Sequence, residues 1–205
     1  MIAHLDRQRD EGGEQVTHDE IIKVFEQTGV ILRGHFRLTS GRHSDMFLQC
    51  SQVMQYPSHA SKICAELARL FKDTEVDLVA GPAMGGIVLA YEVARALGAR
   101  TIFAERENGK MAFRRGFAIR PGEAVLLVED AVSTGGSVNE VAEAVAQAGG
   151  RIVGIGALVD RSGGKVSFGV PFRPLIAMDI KSYSPAECAM CRDGAPLTLP
   201  KSTQT

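Results

Sequence analysis

The sequence predicts an α/β fold, a central parallel sheet with helices packed on both faces. Three observations carry this expectation. Apolar runs of strand length recur at 76–80, 100–104, 124–128 and 151–159. Segments of about a dozen residues with helical periodicity stand between several of them, a spacing that suits right-handed crossovers between parallel strands. Loops rich in Gly, Ser, Thr and acidic residues follow the strands, and in such sheets ligands sit outside the strands' carboxyl ends.

The elements follow in order. Residues 1–16 are polar, lack an apolar signal segment, and are expected to form a solvated tail. Thr17 then precedes a helix with Ile21, Ile22 and Phe25 on its apolar face and Gly29 as its stop. The stretch VILRGHFRLTSGRHSDMFLQC is rich in β-formers and broken at Ser40-Gly41, which predicts strand, turn and strand. In SHASKICAELARLFK, Ile63, Leu67 and Leu70 share one helical face. Strand 76–80 leads through GPAMGG into the helix-like IVLAYEVARALG. After strand 100–104 comes a long polar interruption, ERENGKMAFRRGFAIRPG, and then the strand AVLLV. A helix from Ser137, with Val138, Val141 and Val145 in one stripe, ends at Gly149-Gly150 before the last expected strand, RIVGIGALV. With neither repeats nor a linker, 1–205 is expected to be one domain.

Composition narrows the function classes. The chain is 45% apolar with a net charge of −1, which leaves no basic field for nucleic acid or an anionic membrane. Aromatics are 6% and Trp is absent, an unpromising surface for stacking bases. The apolar runs fall far short of the roughly 20 residues that span a bilayer. Four irregularly spaced cysteines suit free thiols in a reducing cytoplasm. Cys188-Ala-Met-Cys191 is a lone CxxC that falls short of a zinc motif without a second pair or nearby histidines. Cys50 and Cys64 read as buried thiols, and His35 and His43 read as structural or substrate-facing.

The stretch AVLLVEDAVSTGGSV changes character twice, from apolar strand to two acids and then to small residues. In Ser133-Thr134-Gly135-Gly136-Ser137, small side chains allow successive backbone N–H groups to converge, and the following helix adds its own unsatisfied donors. That describes a phosphate cradle; an ordinary strand-to-helix turn with Ser137 as N-cap remains the alternative. Glu129 and Asp130 accept hydrogen bonds only, which suits vicinal sugar hydroxyls, though a solvated acidic pair reads the same way. Neighbours in an extended chain point to opposite sides, so the two acids are expected to divide their work. The P-loop pattern fails because no Lys follows Gly136, and Gly154-Ile155-Gly156 lies inside a strand, where glycines serve packing.

VLLVEDAVSTGGSV closely resembles the phosphoribosyl pyrophosphate motif of type I phosphoribosyltransferases: four apolar residues, two acids, two more residues, then Ser/Thr-x-Gly-Gly/Thr. GHFRLTSGRHSDMFLQ, GPAMGGIVLA and ALVDRSGG resemble, in the expected order, the hood segment, pyrophosphate loop and Asp-Arg segment of the orotate phosphoribosyltransferases. The similarity extends over about 17–200.

The resemblance implies the type I phosphoribosyltransferase fold with a small N-terminal hood (17–55), a core (56–183) and a C-terminal extension (184–205). It implies Mg²⁺-dependent transfer of the 5-phosphoribosyl group to orotate in pyrimidine biosynthesis, giving orotidine 5′-monophosphate and pyrophosphate. Glu129 and Asp130 match the acids that hold the ribose. Ala131, Val132, Ser133, Thr134, Gly135, Gly136 and Ser137 match the rest of the phosphoribosyl pyrophosphate site. Ala83, Met84, Gly85 and Gly86 match the pyrophosphate loop, and Ser133 and Arg161 the orotate contacts. Mg²⁺ is expected to be held mainly by substrate. Residues 105–117 occupy the place of a loop that closes over the neighbouring subunit's site in a homodimer. Arg106 and Lys110 are its foremost candidate cations and, with Asp130, the expected catalytic residues, with Arg114 and Arg115 behind. Two departures stand out: Thr39 and Gly85 fall where known members carry lysine. Transfer to a purine base, or a regulatory protein that senses phosphoribosyl pyrophosphate, are the alternative readings.

Overall fold

The structure, a computed structural model, describes residues 16–38 and 40–200. The expected tail (except Val16), Thr39 and the last five residues lie outside the described residues.

Helix α1, His18–Gln27, starts in a reciprocal cap. The Thr17 hydroxyl accepts the Glu20 N–H at 3.3 Å, and the Glu20 carboxylate accepts the Thr17 N–H at 2.7 Å. Its buried Ile21 and Phe25 face the core, as the periodicity predicts. Strands β1, Ile31–Arg37, and β2, His43–Leu48, form an antiparallel pair. Their register shifts between Arg33 and Phe36, a bulge beside Gly34 at φ 153°. The irregularity breaks the strict alternation of a strand and leaves both His35 and Phe36 buried. A 3-10 turn, Cys50–Gln55, then leads into α2, Pro57–Arg69.

The remaining strands are β3, Leu78–Pro82; β4, Arg100–Glu107; β5, Lys110–Phe113; β6, Ala124–Val132; β7, Arg151–Asp160; and β8, Phe172–Ala177. Helices α3, Gly85–Leu97, and α4, Gly136–Gln147, follow β3 and β6. The sheet order is β5-β4-β3-β6-β7-β8, parallel throughout except for the antiparallel edge strand β5. Strand β4 lies on one side of β3 and the later strands on the other, so chain direction across the sheet reverses between β3 and β6. Crevices for ligands open at such a switch point, outside the carboxyl ends of the two strands.

Alternation along β6 sorts the core into two layers. Leu126 and Val128 pack with α2 and α3, whereas Val125 and Leu127 pack with α4. Gly154 and Gly156 serve packing as expected: a Cβ would lie 2.7 Å from Phe71 at the first and 3.2 Å from Leu67 at the second. Helix α2 therefore sits directly on β7.

Three differences from the sequence reading have physical causes. The polar interruption after β4 is a hairpin, because Asn108 and Gly109 adopt the positive φ angles (49° and 82°) of a tight two-residue turn. Strand β8 was not anticipated; Arg173 and Pro174 interrupt its apolar run, and no helix precedes it. A four-residue helix α5, Ala189–Arg192, was likewise missed, being too short for periodicity to register.

Candidate active site

The site is assembled from the loops after β3, β6 and β7. Strand β6 does not stop at its apolar run. It continues through both acids to Val132, with Glu129 paired to Ala157 and Val132 to Asp160. The pleat therefore divides the acids, as expected. Asp130 lies on the α3 side, where a Cβ added to Gly85 would sit 2.9 Å from its Oδ2. Glu129 lies on the other side and lines an open pocket with residues 131–138.

Burial, with the charge of Asp130 second, pushes the Glu129 carboxyl up to about 8. Burial also raises Asp130, which backbone N–H groups and Arg161 partly oppose. Two carboxyls this close and this buried share a deficit of positive charge. Cys50, at the start of the 3-10 turn, belongs to the same neighbourhood: burial and then Asp130 push its thiol up to about 12, while Arg161 pulls it down. It reads as an unreactive wall of the site.

The small residues after β6 do what their composition suggests. Ser133, Thr134, Gly136 and Ser137 are exposed around the pocket mouth. The helix cap differs from the expectation. Gly135, at φ 77°, is the N-cap, and Ser137 is already the second helical residue. A Cβ at Gly135 would lie 2.8 Å from Phe168, and φ above zero disfavours any side chain there. No side chain caps α4, so its first N–H groups open towards the pocket as an anion-binding end.

Opposite it runs the loop Ala83, Met84, Gly85, Gly86, with a cis peptide between Ala83 and Met84. Gly81 and Gly86 pack backbone against backbone, a Cβ on Gly81 meeting Gly86 O at 2.8 Å. Gly85 accounts for one departure from the family pattern: any longer residue here, lysine included, would press on Asp130. Arg161 leaves β7 beside the end of β6, its N–H bonded to Val132 O at 2.7 Å. Turns at Asp160 and Ser162, whose side chains accept the Ser162 and Gly164 N–H groups, hold the chain around it.

The hairpin cations are distributed unevenly. Arg106 pairs with Glu140 of α4 at 2.8 Å, Arg115 with Glu105 at 2.7 Å, and Arg114 with Glu107 at 3.2 Å. Lys110 is exposed at the start of β5 and makes no ion pair among the described residues. None of the four lines this chain's own pocket. Arg42 is turned to the C-terminal segment, bonding Ser182 through Nε and Nη2 at 2.9 and 2.7 Å.

Residues 51–167 match the model of the phosphoribosyl transferase domain family. Over 187 residues the chain is 54% identical to an orotate phosphoribosyltransferase of Pelotomaculum thermopropionicum, an alignment spanning 91% of this chain and 98% of the relative. The chain belongs to the orotate phosphoribosyltransferases. A second member of this family, from Desulforamulus reducens, is 52% identical over 92% of this chain and 99% of its own length. The fold agrees: the Mycobacterium tuberculosis orotate phosphoribosyltransferase, solved with inorganic phosphate, superposes with a TM-score of 0.63 at 22% identity, covering 77% of this chain and 95% of that one.

Proposed function

We propose that the crevice between β3 and β6 is where this chain carries out its family's reaction, transfer of the 5-phosphoribosyl group from phosphoribosyl pyrophosphate to orotate. The observation that carries this is the pairing, across one pocket, of the uncapped α4 amino end with the buried carboxyl of Glu129. The first suits the 5′-phosphate and the second the ribose hydroxyls.

The roles follow from position. Main-chain N–H groups of Ser133 to Ser137 hold the phosphate, and Glu129 and Asp130 hold the sugar from its two sides. As the bond to pyrophosphate lengthens, the anomeric carbon becomes oxocarbenium-like, and the acids offset its positive charge. The Ala83–Gly86 loop cradles the departing pyrophosphate. Arg161 and Ser133 face orotate, whose ring nitrogen attacks from the opposite side and inverts the anomeric centre. A Mg²⁺ ion, when bound, supplies charge neutralisation for the leaving group. Two adjacent carboxyls are too few for a dedicated Mg²⁺ cage but would suit an ion carried in by diphosphate, whose charge Glu129 and Asp130 would help to offset.

The working unit is a homodimer in which the 105–117 hairpin serves the neighbouring site. Two features support this. Lys110 is exposed and does not line its own pocket, and Met84, Val88 and Tyr91 leave an exposed apolar stripe along α3. A division into hood (17–55), core (56–183) and C-terminal extension (184–205) is supported by the β1–β2 pair forming a sheet separate from the six-stranded one. A cytoplasmic location accords with four free cysteines and with the lack, among the described residues, of any helix long and apolar enough to cross a membrane.

The test is direct. The protein is incubated with Mg²⁺ and phosphoribosyl pyrophosphate, and loss of orotate absorbance is followed against adenine, uracil and hypoxanthine. Consumption of orotate alone is expected; turnover of a purine in its place refutes the assignment.

A further inference from the structure

The lone CxxC is not alone in space. The β1 bulge buries His35, and the first residue of β2 is the buried His43. The C-terminal segment returns to this hairpin: Arg37 and Thr198 bond through Arg37 N–H to Thr198 O, and His43 and Tyr183 exchange two backbone bonds. That return carries Cys188 and Cys191 onto the two imidazoles.

The four side chains point one atom each at a common centre, all within 4.8 Å of one another. His35 Nε2 lies 2.9 Å from His43 Nδ1, 3.5 Å from Cys188 Sγ and 3.6 Å from Cys191 Sγ. Cys191 Sγ lies 3.2 Å from His43 Nδ1. Around a tetrahedral zinc ion with ordinary bond lengths, the edges are about 3.4 Å for N···N and about 3.6 Å for N···S. The four observed edges fall within about half an ångström of those values, and the two remaining pairs lie no more than 4.8 Å apart.

A second observation fixes the chemistry of one ligand. His35 Nδ1 is 2.9 Å from the carbonyl of Ala195, an acceptor only, so Nδ1 carries the proton. Nε2 then presents its lone pair to the cluster, and a carbonyl holding the other ring N–H is the arrangement that ligating histidines characteristically have. Three of the four residues are buried, and every tetrahedral position is taken by protein, which describes a structural site with no place for a reacting water.

We propose that His35, His43, Cys188 and Cys191 bind one zinc ion that clamps the C-terminal segment to the β1–β2 hairpin. Two sulfurs and two nitrogens in a tetrahedron select zinc over Mg²⁺, which requires oxygen ligands. The clamp brackets the connection between β1 and β2, because His35 and His43 lie on either side of it. Zinc thereby anchors the base of the segment that includes Ser40, Gly41 and Arg42.

Metal content by mass spectrometry of the reduced, full-length protein, free of substrate, is expected to give one zinc per chain. Replacement by Co²⁺ is expected to give the visible bands of a tetrahedral ion together with thiolate charge transfer in the near ultraviolet. Cys188→Ser and Cys191→Ser should each lose these bands, and Cys64→Ala should keep them. Because a clamp variant could fail to fold, the wild-type protein is also stripped with a chelator and followed by hydrogen exchange. Amides of 31–48 and 183–198 should exchange faster, with β3 and β6 unchanged, and zinc should restore protection. Absence of stoichiometric zinc with all thiols reduced, iron or copper in its place, a Cys188–Cys191 disulfide in the purified protein, or an octahedral cobalt spectrum would each overturn the assignment.

Discussion

Gly85→Ala separates the site's geometry from the fold's stability. Gly85 opens α3 and has an ordinary φ, so an added methyl strains no backbone and slightly favours the helix. Its three nearest contacts all belong to one neighbour, Asp130. The new Cβ would stand 2.9 Å from Asp130 Oδ2 and 3.2 Å from Cγ, where ordinary contact begins near 3.4 Å. The carboxylate must therefore yield by a few tenths of an ångström, which shifts a group that faces the crevice. Misplacement of a reacting partner by about 1 Å costs about 10²-fold in rate, so a displacement of this size should lower kcat/KM for phosphoribosyl pyrophosphate by about 10-fold or somewhat more. The melting temperature should stay within a degree or two of the parent. Steady-state kinetics with orotate saturating, alongside a thermal melt, measure both. Unchanged kcat/KM in a folded variant would remove Asp130 from the transition state, and a large fall in melting temperature would show that Gly85 is kept for packing instead.

Lys110→Ala should lower kcat by about 10²–10³, the usual cost of one well-aimed charge donor, and Arg106→Ala should cost less because Glu140 already engages it; steady-state rates for the two variants check the order. If Lys110 serves the neighbouring site, mixing Lys110→Ala with Glu129→Gln subunits should restore about a quarter of wild-type activity, since half the dimers then hold one intact site, and no recovery on mixing would place the lysine in its own site. Glu129, raised to about 8, is largely protonated near neutrality, whereas ribose hydroxyls and Mg²⁺ favour its ionised form. Calorimetry should therefore show proton release on phosphoribosyl pyrophosphate binding, with affinity rising up to about tenfold per pH unit from about pH 7 to 8 and Glu129→Gln flattening the slope. The same raised carboxyl costs stability as pH climbs from 4.5 towards 8, so Glu129→Gln should melt above the parent at pH 8 and with it at pH 4. Gly154→Ala drives a methyl to 2.7 Å from Phe71 and should cost about 1–3 kcal/mol by thermal denaturation, leaving KM for both substrates unchanged.

The parallel core was legible because its signals are local. Apolar strands of five to nine residues, helices with one apolar face, and Gly, Ser and acidic residues at the junctions each identify themselves within a short window. Even the division of labour between Glu129 and Asp130 follows from pleating alone. Legibility ended where the outcome depended on a distant partner. The hairpin at 105–117 read as a loop because its charged strand residues mask the period, although Asn108-Gly109 is the strongest turn signal in the stretch. The cap of α4 moved from Ser137 to Gly135 because the left-handed residue, with Phe168 packed against it, fixes where the helix begins. His35 and His43 read as unrelated to the CxxC, since some 150 residues separate the two pairs in sequence. A bulge that buries two successive residues of β1 brought them together, and no periodic pattern announces a bulge.

One of the two departures from the family pattern, Gly85, bears on how the site manages charge; the other, Thr39, lies outside the described residues. Where known members carry lysine, Gly85 lets α3 approach Asp130 so closely that no cation can stand between them. Among the described residues near the acids, Arg161 is the charge that draws Asp130 down, and Glu129 has no such counterweight. Near neutrality the Glu129 carboxyl is therefore largely protonated, and hydroxyls or a divalent ion brought by the substrate would favour its ionised form. If Mg²⁺ accompanies the substrate as proposed, affinity for phosphoribosyl pyrophosphate should depend on Mg²⁺ more steeply here than in a Glu129→Gln variant, as calorimetric titrations at several Mg²⁺ concentrations would show.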